Sequence, residues 1–567
     1  MVAIDRRVGL IFVAFLSLLA AALIRAVYLG VVRADTLQQA AVSQQITQVP
    51  IPAIRGAITD RNGVELALSE SAADIIADPY LIKRGDPMQL AQTMAPLLHM
   101  PVLNVFTAIT KPHTGYVVVA REVTPAAAHA IMALKFGGKP INGITSLPDV
   151  KRVYPRDWTA AQVLGGVYGS PGGGKAGIGG GDAGLEFQYN SVLSGKAGER
   201  RIVNDAIHQP ISIDDVRTMQ PGKTVQLTLD AALQNEVEQV LAGVGEQYAP
   251  RGATAIVMNP DSGAILALAN WPRVNANDPH AVRSPDDRDR AVADNYEPGS
   301  TFKAITVAGA LQDGVVTPST PFDIPPVLQV ADRQIHDAES HGYETLTTAQ
   351  ILKVSSNMGA DLIGMRDTAP RFNYWVHKFG FGSTTGSDIP GEQSGIVLKL
   401  SQYSGSSMGN LPMGQGESVT PIQMATAYSA IANGGILRPP HIVQSIGGKA
   451  EPLPAGHRII SANTAASVRN MLRGVLADGG TASGAAIPGF DLAGKTGTAS
   501  VVVDGKYSSS EYIASFIGMV PASDPKLVVA VMVDEPQRGS IYGGSVAAPA
   551  FQKIVGWAVP HFGISPT

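Results

Sequence analysis

The chain reads PGSTFKAITVAGAL from Pro298 to Leu311, and this segment predicts the start of a helix that carries a reactive serine. Ser300 is expected in the first helical turn, where free backbone N–H groups and the helix dipole favour developing negative charge. Residues three apart share one face of a helix, so Lys303 lies within reach of the Ser300 hydroxyl. Because a serine hydroxyl is a poor nucleophile until a base takes its proton, the pair predicts nucleophilic catalysis with Lys303 as the base.

Two further motifs follow in the order that this chemistry needs. The chain reads SSN from Ser355 to Asn357, at the end of a helical stretch where polar side chains can face a cleft, and KTGT from Lys495 to Thr498. Lys303 can act as a base only when neutral, and we expect burial and the charge of Lys495 to lower its pKa. Each motif alone is common, but the ordered set S-x-x-K, S-x-N and K-T-G is specific.

Two decoys show how little one motif means by itself. Ser523-Asp524-Pro525-Lys526 also matches S-x-x-K, but its proline and the apolar strands on both sides predict a turn. Ser461-Ala462-Asn463 also matches S-x-N, but it opens an amphipathic helical pattern. Ser461 is therefore predicted to be the N-cap of a helix rather than a catalytic residue.

A phosphate-binding loop is the remote alternative. Residues 489–496 read GFDLAGKT and satisfy G-x-x-x-x-G-K-T, a pattern that needs a helix directly after the lysine. Here a glycine, Gly497, comes directly after Lys495-Thr496, and the valines at 501–503 are typical of a strand. A second near match at 169–175 has Ala176 where Ser or Thr should bind magnesium, in a Gly-rich stretch that reads as a flexible loop. The sequence therefore favours a serine enzyme over a nucleotide-binding protein.

An apolar run near the N-terminus predicts a membrane anchor. The uncharged residues from Val8 to Ile24 come close to the ~20 residues that span a bilayer, and the run extends to Val32 if Arg25 snorkels. The basic residues before it predict a cytoplasmic tail over 1–7, one membrane helix over 8–32 and the remaining chain outside the cytoplasm. A cleaved signal peptide is the alternative, because the alanines at 20–22 offer small residues for cleavage.

Composition and pattern bound the rest of the chain. The net charge of −4 gives no basic footprint for nucleic acid, and the absence of cysteine fits an exported protein. A strand-rich module is predicted over 46–220, with a hairpin turn at Asn62-Gly63. A second module over 224–560 begins with a strand (Val225–Leu229), a helix (Ala231–Leu241) and a hairpin, and ends with strands and a closing helix. This segregation of strands and helices predicts an α+β fold.

These motifs resemble those of the class B penicillin-binding proteins. The resemblance to the transpeptidase domain rests on Pro298–Lys303, Gly414–Gly416, Val419–Pro421 and Lys495–Thr498. The resemblance to the non-catalytic, dimerisation-type pedestal rests on Arg55–Gly63, Gly184–Glu186 and Leu193–Gly195. It implies a penicillin-binding and serine β-lactamase-like domain, with an antiparallel sheet flanked by helices plus a helical subdomain. Near the C-terminus, Ser515–Gly518, Tyr542–Gly544 and Ala547–Pro549 are most similar to the division (septal) branch rather than the elongation branch.

The resemblance implies a role for each motif residue in acyl transfer. Ser300 would attack the penultimate D-Ala carbonyl of a peptidoglycan stem peptide, with Lys303 as the base. Ser355 would relay a proton to the leaving amine, and Asn357 would hold the substrate amide. An amine from a neighbouring stem peptide would then take the acyl group.

The K-T-G-T strand would bind the substrate. Lys495, Thr496 and Thr498 would hold the terminal carboxylate, which suits an ammonium group and hydroxyls. Gly497 would let the substrate backbone pair against the strand edge. The backbone N–H groups of Ser300 and Thr498 would form the oxyanion hole.

The resemblance also implies partners and leaves two alternatives open. The family acts on stem peptides of the lipid-linked precursor, is acylated by β-lactams, and docks a membrane glycosyltransferase and divisome proteins through its pedestal. It uses no metal or cofactor, and the spacing of His336, Glu339 and His341 matches no standard zinc motif. A serine β-lactamase would share the motifs but would need neither anchor nor pedestal. A β-lactam sensor would add further membrane spans and a cytoplasmic signalling domain.

Overall fold

The computed structural model of the chain describes residues 2–36, 46–82, 85–136, 138–167, 181–204, 210–278 and 285–567. The first helix of the chain is Val2–Val27, and it continues as a π-helical turn, Tyr28–Val32. The segment Arg6–Val32 is long and apolar enough to cross a membrane, and none of its most apolar window is buried. A candidate anchor thus lies where the sequence predicts one. The second Gly-rich near match, at 169–175, lies outside the described residues.

The module that follows is rich in strands, as predicted. Its long strand Glu65–Ala77 pairs antiparallel with Ile144–Val153 and, near its end, with Val117–Val123. A separate sheet has the order Ile46–Ile51, Gly198–Asn204, Pro210–Arg217. The other described strands of the module are Ile58–Thr59, Lys135–Phe136 and Lys139–Pro140. Its helices are Pro79–Ile82, Pro87–Leu98, Val102–Ile109, Pro125–Met132, Ala161–Leu164, Gly184–Gln188 and Asn190–Leu193.

A buried charge network joins distant segments of this pedestal. Arg55 Nε donates to Glu186 Oε2 over 2.6 Å, and Arg152 Nε donates to Glu186 Oε1 over 2.7 Å. The other Arg55 nitrogens reach the side chains of Asn190 and Ser194 and the Glu186 carbonyl. The Arg55 and Glu186 side chains are 1% and 0% exposed, so the pair is removed from water. The Glu186 carboxylate therefore holds its own segment against that of Arg55, 131 positions earlier in the chain.

The predicted start of the second module connects the two modules. The strand observed there is Val225–Leu227, shorter than predicted, and it pairs antiparallel with Val443–Ile446. On its other side it pairs in parallel with Ile58–Thr59, the first strand of the predicted Asn62-Gly63 hairpin. One seven-stranded sheet therefore runs from the pedestal into the second module.

A five-stranded antiparallel sheet forms the centre of the second module. Its order is Ile265–Trp271, Gly252–Met258, Leu527–Asp534, Lys506–Val520, Ala493–Val503. Side chains alternate across it: Val531 packs with the helices Ala231–Tyr248 and Gly543–His561, whereas Ala530 packs with the helical subdomain. This two-faced sheet between helical layers confirms the α+β prediction.

The helical subdomain carries the first two motifs. Its helices are Arg290–Ala293, Lys303–Gln312, Thr348–Val354, Asn357–Asp367, Ala369–Lys378, Pro421–Ala432 and Ala462–Arg473. Short paired strands accompany them: Pro321–Ile324 with Glu344–Thr347, Leu328–Val330 with Arg333–Ile335, Ile436–Leu437 with His457–Arg458, and Lys449–Ala450 with Val443–Ile446. The subdomain covers one face of the sheet, where the helix Pro421–Ala432 packs on the central strands, and its serine turn (Gly299–Phe302) and the helix Ala462–Arg473 contact the edge strand Ala493–Val503.

Candidate active site

Ser300 lies in a tight turn that leads into a helix. The turn, Gly299–Phe302, is a 3₁₀ helix, and the α-helix Lys303–Gln312 continues from it. In a 3₁₀ turn the side chains at i and i+3 eclipse, which aligns Ser300 with Lys303. Gly299 has a φ of 52°, and its N–H donates to the Gly414 carbonyl over 2.9 Å. Because a side chain is strained at this φ, glycine directly before the serine is required by the turn.

The three motifs meet at the hydroxyl of Ser355. Lys303 Nζ donates to the Ser355 carbonyl over 2.6 Å, to Asn357 Oδ1 over 2.7 Å and to Ser355 Oγ over 3.4 Å. Lys495 Nζ donates to the same Ser355 Oγ over 2.8 Å. None of these bonds goes to Ser300, which is half-buried. The structure thus brings Lys303, Ser355, Asn357 and Lys495 together, one or more residues from each motif.

Burial governs the charge of the two lysines. Both side chains are fully buried, and desolvation lowers the pKa of Lys303 to about 8. The negative charges of Asp337 and Asp361 act in the opposite direction and raise this pKa. Burial and the positive charge of Lys303 lower the pKa of Lys495 well below its usual value. The expected repulsion between the two lysines is therefore present, and it adds to the lowering of the Lys495 pKa. Burial is the largest cause of the lowered pKa of Lys303.

Ser355 occupies an uncommon backbone conformation. The helix Thr348–Val354 ends at Ser355, which has a φ of 64° in the left-handed region, and the helix Asn357–Asp367 begins two residues later. Ser356 is the N-cap of that second helix, and its Oγ accepts from the Gly359 N–H over 2.9 Å. Non-glycine residues in this region cluster at functional sites. The reversal between the two helices turns Ser355 and Asn357 toward Lys303.

The K-T-G-T segment lies in the edge strand Ala493–Val503. Strand alternation puts Lys495 on one face of the sheet and Thr496 and Thr498 on the other. The long Lys495 side chain reaches Ser355 Oγ and also lies 3.3 Å from Thr496 Oγ1. Thr496 Oγ1 lies 2.8 Å from Thr481 Oγ1, and Thr498 Oγ1 accepts from the Gly543 N–H over 3.1 Å. Both threonine hydroxyls therefore already have protein partners.

Gly497 is required by packing. A Cβ on this residue would lie 2.2 Å from Ser515 Oγ and 3.0 Å from Thr301 Cγ2. These atoms belong to the neighbouring strand and to the serine turn. The sequence interpretation assigned Gly497 to pairing with a substrate, and the structure adds that only glycine lets the edge strand approach the serine turn this closely.

The local environment also separates the decoys from the site. Ser461 caps the helix Ala462–Arg473, accepting from the Thr464 N–H over 3.0 Å, as predicted. Lys526 pairs with Asp524 over 2.6 Å, and Ser523 is exposed in the turn between two strands. The lysine of the phosphate-loop pattern lies inside the strand Ala493–Val503, where no helix follows it. The phosphate-loop alternative is therefore contradicted by the geometry that its pattern needs.

Sequence reasoning missed Asp337 and Asp361. Asp337 contacts the SSN motif directly, and Asp361 is fully buried one turn after Asn357 on the same helix. In the sequence, the segment around Asp337 stands out only for His336, Glu339 and His341, whose spacing matches no standard zinc motif. Among the described residues, His341 instead clusters with Asp337 and Glu344, and both Asp337 oxygens already accept hydrogen bonds from protein groups. A buried acid on a helix carries no local pattern that would have marked Asp361.

The chain matches two family models and several curated relatives. The penicillin binding protein transpeptidase domain matches residues 253–556, and the penicillin-binding protein dimerisation domain matches residues 50–227. A probable peptidoglycan D,D-transpeptidase PenA of Neisseria meningitidis is 30% identical over 566 residues, covering 99% of this chain and 94% of that protein. The peptidoglycan D,D-transpeptidase FtsI of Escherichia coli is 30% identical, covering 99% of this chain and 93% of that protein.

The fold is also that of a solved relative. Penicillin binding protein 3 of Mycobacterium tuberculosis superposes with a TM-score of 0.70 at 28% identity, over 92% of this chain and 98% of that chain. The same protein has been solved in complex with ampicillin. The family models, the relatives and the assembled motifs lead to one conclusion. The chain belongs to the class B penicillin-binding proteins of the division type.

Proposed function

We propose that this chain is a membrane-anchored serine D,D-transpeptidase that cross-links peptidoglycan stem peptides in septal wall synthesis. The single observation that carries the proposal is the Ser355 hydroxyl held between the side-chain nitrogens of Lys303 and Lys495, with Lys303 directly after the Ser300 turn. Such an arrangement can pass a proton between a nucleophile, a base and a leaving amine. Relatives along almost the whole chain carry the name peptidoglycan D,D-transpeptidase, which supports the same reaction.

In the acylation step, the Ser300 oxygen bonds to the penultimate D-Ala carbonyl carbon and its proton passes to neutral Lys303. The carbonyl oxygen becomes an oxyanion that the N–H groups of Ser300 and Thr498 stabilise. The closeness of the serine turn to Thr498 supports this pairing, since a Cβ on Gly299 would lie 3.2 Å from the Thr498 carbonyl. The bond to the terminal D-Ala then breaks, and Ser355 relays the proton to its amine.

In the same proposal, Asn357 holds the substrate amide and the K-T-G-T strand holds the substrate. Lys495, Thr496 and Thr498 bind the terminal carboxylate, and Gly497 keeps the strand edge accessible. The acceptor amine of a second stem peptide then attacks the acyl-enzyme carbonyl, and its proton passes back to restore the Ser300 hydroxyl. β-Lactams enter the first step as substrates whose acyl-enzyme persists.

The proposal extends to location and partners. The segment 8–32 anchors the chain once, residues 1–7 lie in the cytoplasm, and the pedestal (46–220) and transpeptidase domain (224–560) lie outside. The basic flank before the apolar helix supports this orientation. The pedestal docks a membrane glycosyltransferase and divisome proteins, which deliver the lipid-linked precursor to the site.

The pH dependence of acylation follows from Lys303. Because the lysine accepts a proton only when neutral, and burial lowers its pKa to about 8, acylation is expected to rise with pH and level off above about 8. Two pH units below that midpoint the rate is about 100-fold below its plateau. The measurement is the second-order rate constant for acylation by a penicillin across neutral and alkaline pH. A rate that is flat or falls through this range contradicts Lys303 as the base.

The lifetime of the acyl-enzyme tests the function itself. The full-length protein in detergent is mixed with a penicillin, and its intact mass and the free drug are followed over time. A transpeptidase is expected to keep one covalent adduct, which peptide mapping locates on Ser300. An adduct that clears quickly with drug turnover identifies a β-lactamase instead. No adduct at all overturns the assignment.

A further inference from the structure

Asp337 holds the backbone of the SSN motif from outside the motif. Its Oδ1 accepts from the Asn357 N–H over 2.5 Å and from the Met358 N–H over 3.0 Å, and its Oδ2 accepts from Ser356 Oγ over 2.7 Å. One carboxylate therefore satisfies two of the free backbone donors at the N-terminus of the helix Asn357–Asp367, and Ser356 Oγ accepts from a third, the Gly359 N–H. His341 Nε2 lies 3.2 Å from the same Oδ2, on the side that the motif leaves open.

The neighbouring residue extends this hold to the Asn357 side chain. Asn357 Nδ2 donates to the His336 carbonyl over 3.0 Å, which turns Asn357 Oδ1 toward Lys303 Nζ, 2.7 Å away. The pair His336-Asp337 thus fixes both the backbone and the amide of Asn357. Because Ser355 precedes this clamped turn in a left-handed conformation, its hydroxyl and carbonyl are placed by the same contacts.

Asp337 also acts on Lys303 through its charge. The charged groups that face Lys303 are Asp337 from the clamping loop, Asp361 from the helix Asn357–Asp367 and Lys495 from the edge strand. The negative charge of Asp337 raises the pKa of Lys303 and opposes the lowering caused by burial. Removing that charge while keeping the shape of the side chain is therefore expected to lower the pKa of Lys303 further.

We infer that Asp337 is a positioning residue for acyl transfer, which sets both the geometry of the SSN motif and the electrostatic environment of Lys303. The inference rests on the proposed function, because it assigns Asp337 to the acylation step that Ser300 performs. The geometric effect and the electrostatic effect of Asp337 can be removed by different substitutions. Ser356→Ala removes the contact with Asp337 Oδ2 together with the N-cap bond to the Gly359 N–H and keeps the charge of Asp337, whereas Asp337→Asn removes that charge.

The test compares pH profiles of penicillin acylation in the full-length protein. For Asp337→Asn, the plateau rate constant is expected to fall about 10- to 100-fold, as for small displacements of catalytic groups. The acid limb, which is the part of the profile where the rate rises with pH, is expected to move to lower pH. For Ser356→Ala, the plateau falls while the acid limb stays in place. Asp323→Asn is the matched control, because that exposed carboxylate accepts a hydrogen bond from Thr345 Oγ1 in the same subdomain and does not contact the motif. It is expected to keep the wild-type profile.

The outcomes separate this inference from the function on which it rests. A wild-type protein without an adduct overturns the proposed function and this inference with it. If the wild type is acylated, an Asp337→Asn protein with an unmoved acid limb overturns the inference, because a helix cap that only stabilises the fold predicts that result. If Asp337→Asn does not fold, Ser356→Ala decides: a wild-type plateau overturns the inference, and a lowered plateau with an unmoved acid limb supports it.

Discussion

Replacing Ser300 with alanine is expected to abolish the covalent penicillin adduct and to leave the protein folded. Loss of a serine nucleophile costs about 10⁶-fold in a comparable serine hydrolase, so no acylation is expected on the timescale of the assay. The fold tolerates the change because the bonds of Lys303 and Lys495 go to Ser355, Asn357 and Thr496, not to Ser300. Intact-mass measurement after incubation with a penicillin, with circular dichroism to verify folding, checks this result.

The decoy motif supplies the matched control. Ser523 heads the second S-x-x-K match, is exposed, and has its lysine paired with Asp524. Ser523→Ala is therefore expected to take up one adduct at the wild-type rate. An adduct on Ser300→Ala, or its loss on Ser523→Ala, would place the nucleophile elsewhere.

Replacing Glu186 with glutamine is expected to destabilise the pedestal strongly. The neutral amide keeps the size of the side chain but leaves the guanidinium groups of Arg55 and Arg152 without their shared anion, in a site that water does not reach. Removing one partner of a buried ion pair costs about 3–5 kcal/mol. We expect the loss to appear as faster hydrogen exchange in the helices Gly184–Gln188 and Asn190–Leu193.

An exposed ion pair of the same module provides the comparison. Arg200 Nε donates to Asp215 Oδ1 over 2.6 Å on an exposed hairpin, where solvent screens the charges. Asp215→Asn is expected to leave hydrogen exchange in those helices unchanged. Equal effects of the two substitutions would show that burial does not set the strength of the Glu186 network. Because the chain has several domains, exchange at named segments is a better measure than one global unfolding midpoint.

Local patterns predicted the elements that local physics controls. The serine turn, the cap at Ser461, the hairpin at Asn62-Gly63 and the closing helix all appear where the sequence indicated them. Each depends on neighbouring residues: a glycine that tolerates positive φ, a hydroxyl that caps its own helix, or an apolar period. The phosphate-loop pattern did not predict the structure, because it needs a helix after Lys495 and the residues there form a strand.

Other features depend on residues that are far apart in sequence. The strand Val225–Leu227 pairs with Ile58–Thr59, which no local pattern could indicate. The reduced basicity of Lys303 depends on burial beneath several elements, and its magnitude cannot be read from the S-x-x-K spacing. The contact of Asp337 with the SSN motif spans 20 positions, over which the chain forms the strand Glu344–Thr347 and the helix Thr348–Val354.

The sequence by itself determined which residues can do the chemistry: an ordered set of a serine, two lysines, a second serine and an asparagine, on elements whose local propensities are unambiguous. Only the tertiary structure decided how these residues act together. It placed both lysines on one hydroxyl, buried them so that the pKa of each is lowered, and brought the charges of Asp337 and Asp361 close to Lys303. The reason is that residue type and local pattern are written along the chain, whereas burial and Coulomb interactions depend on distances that exist only after folding.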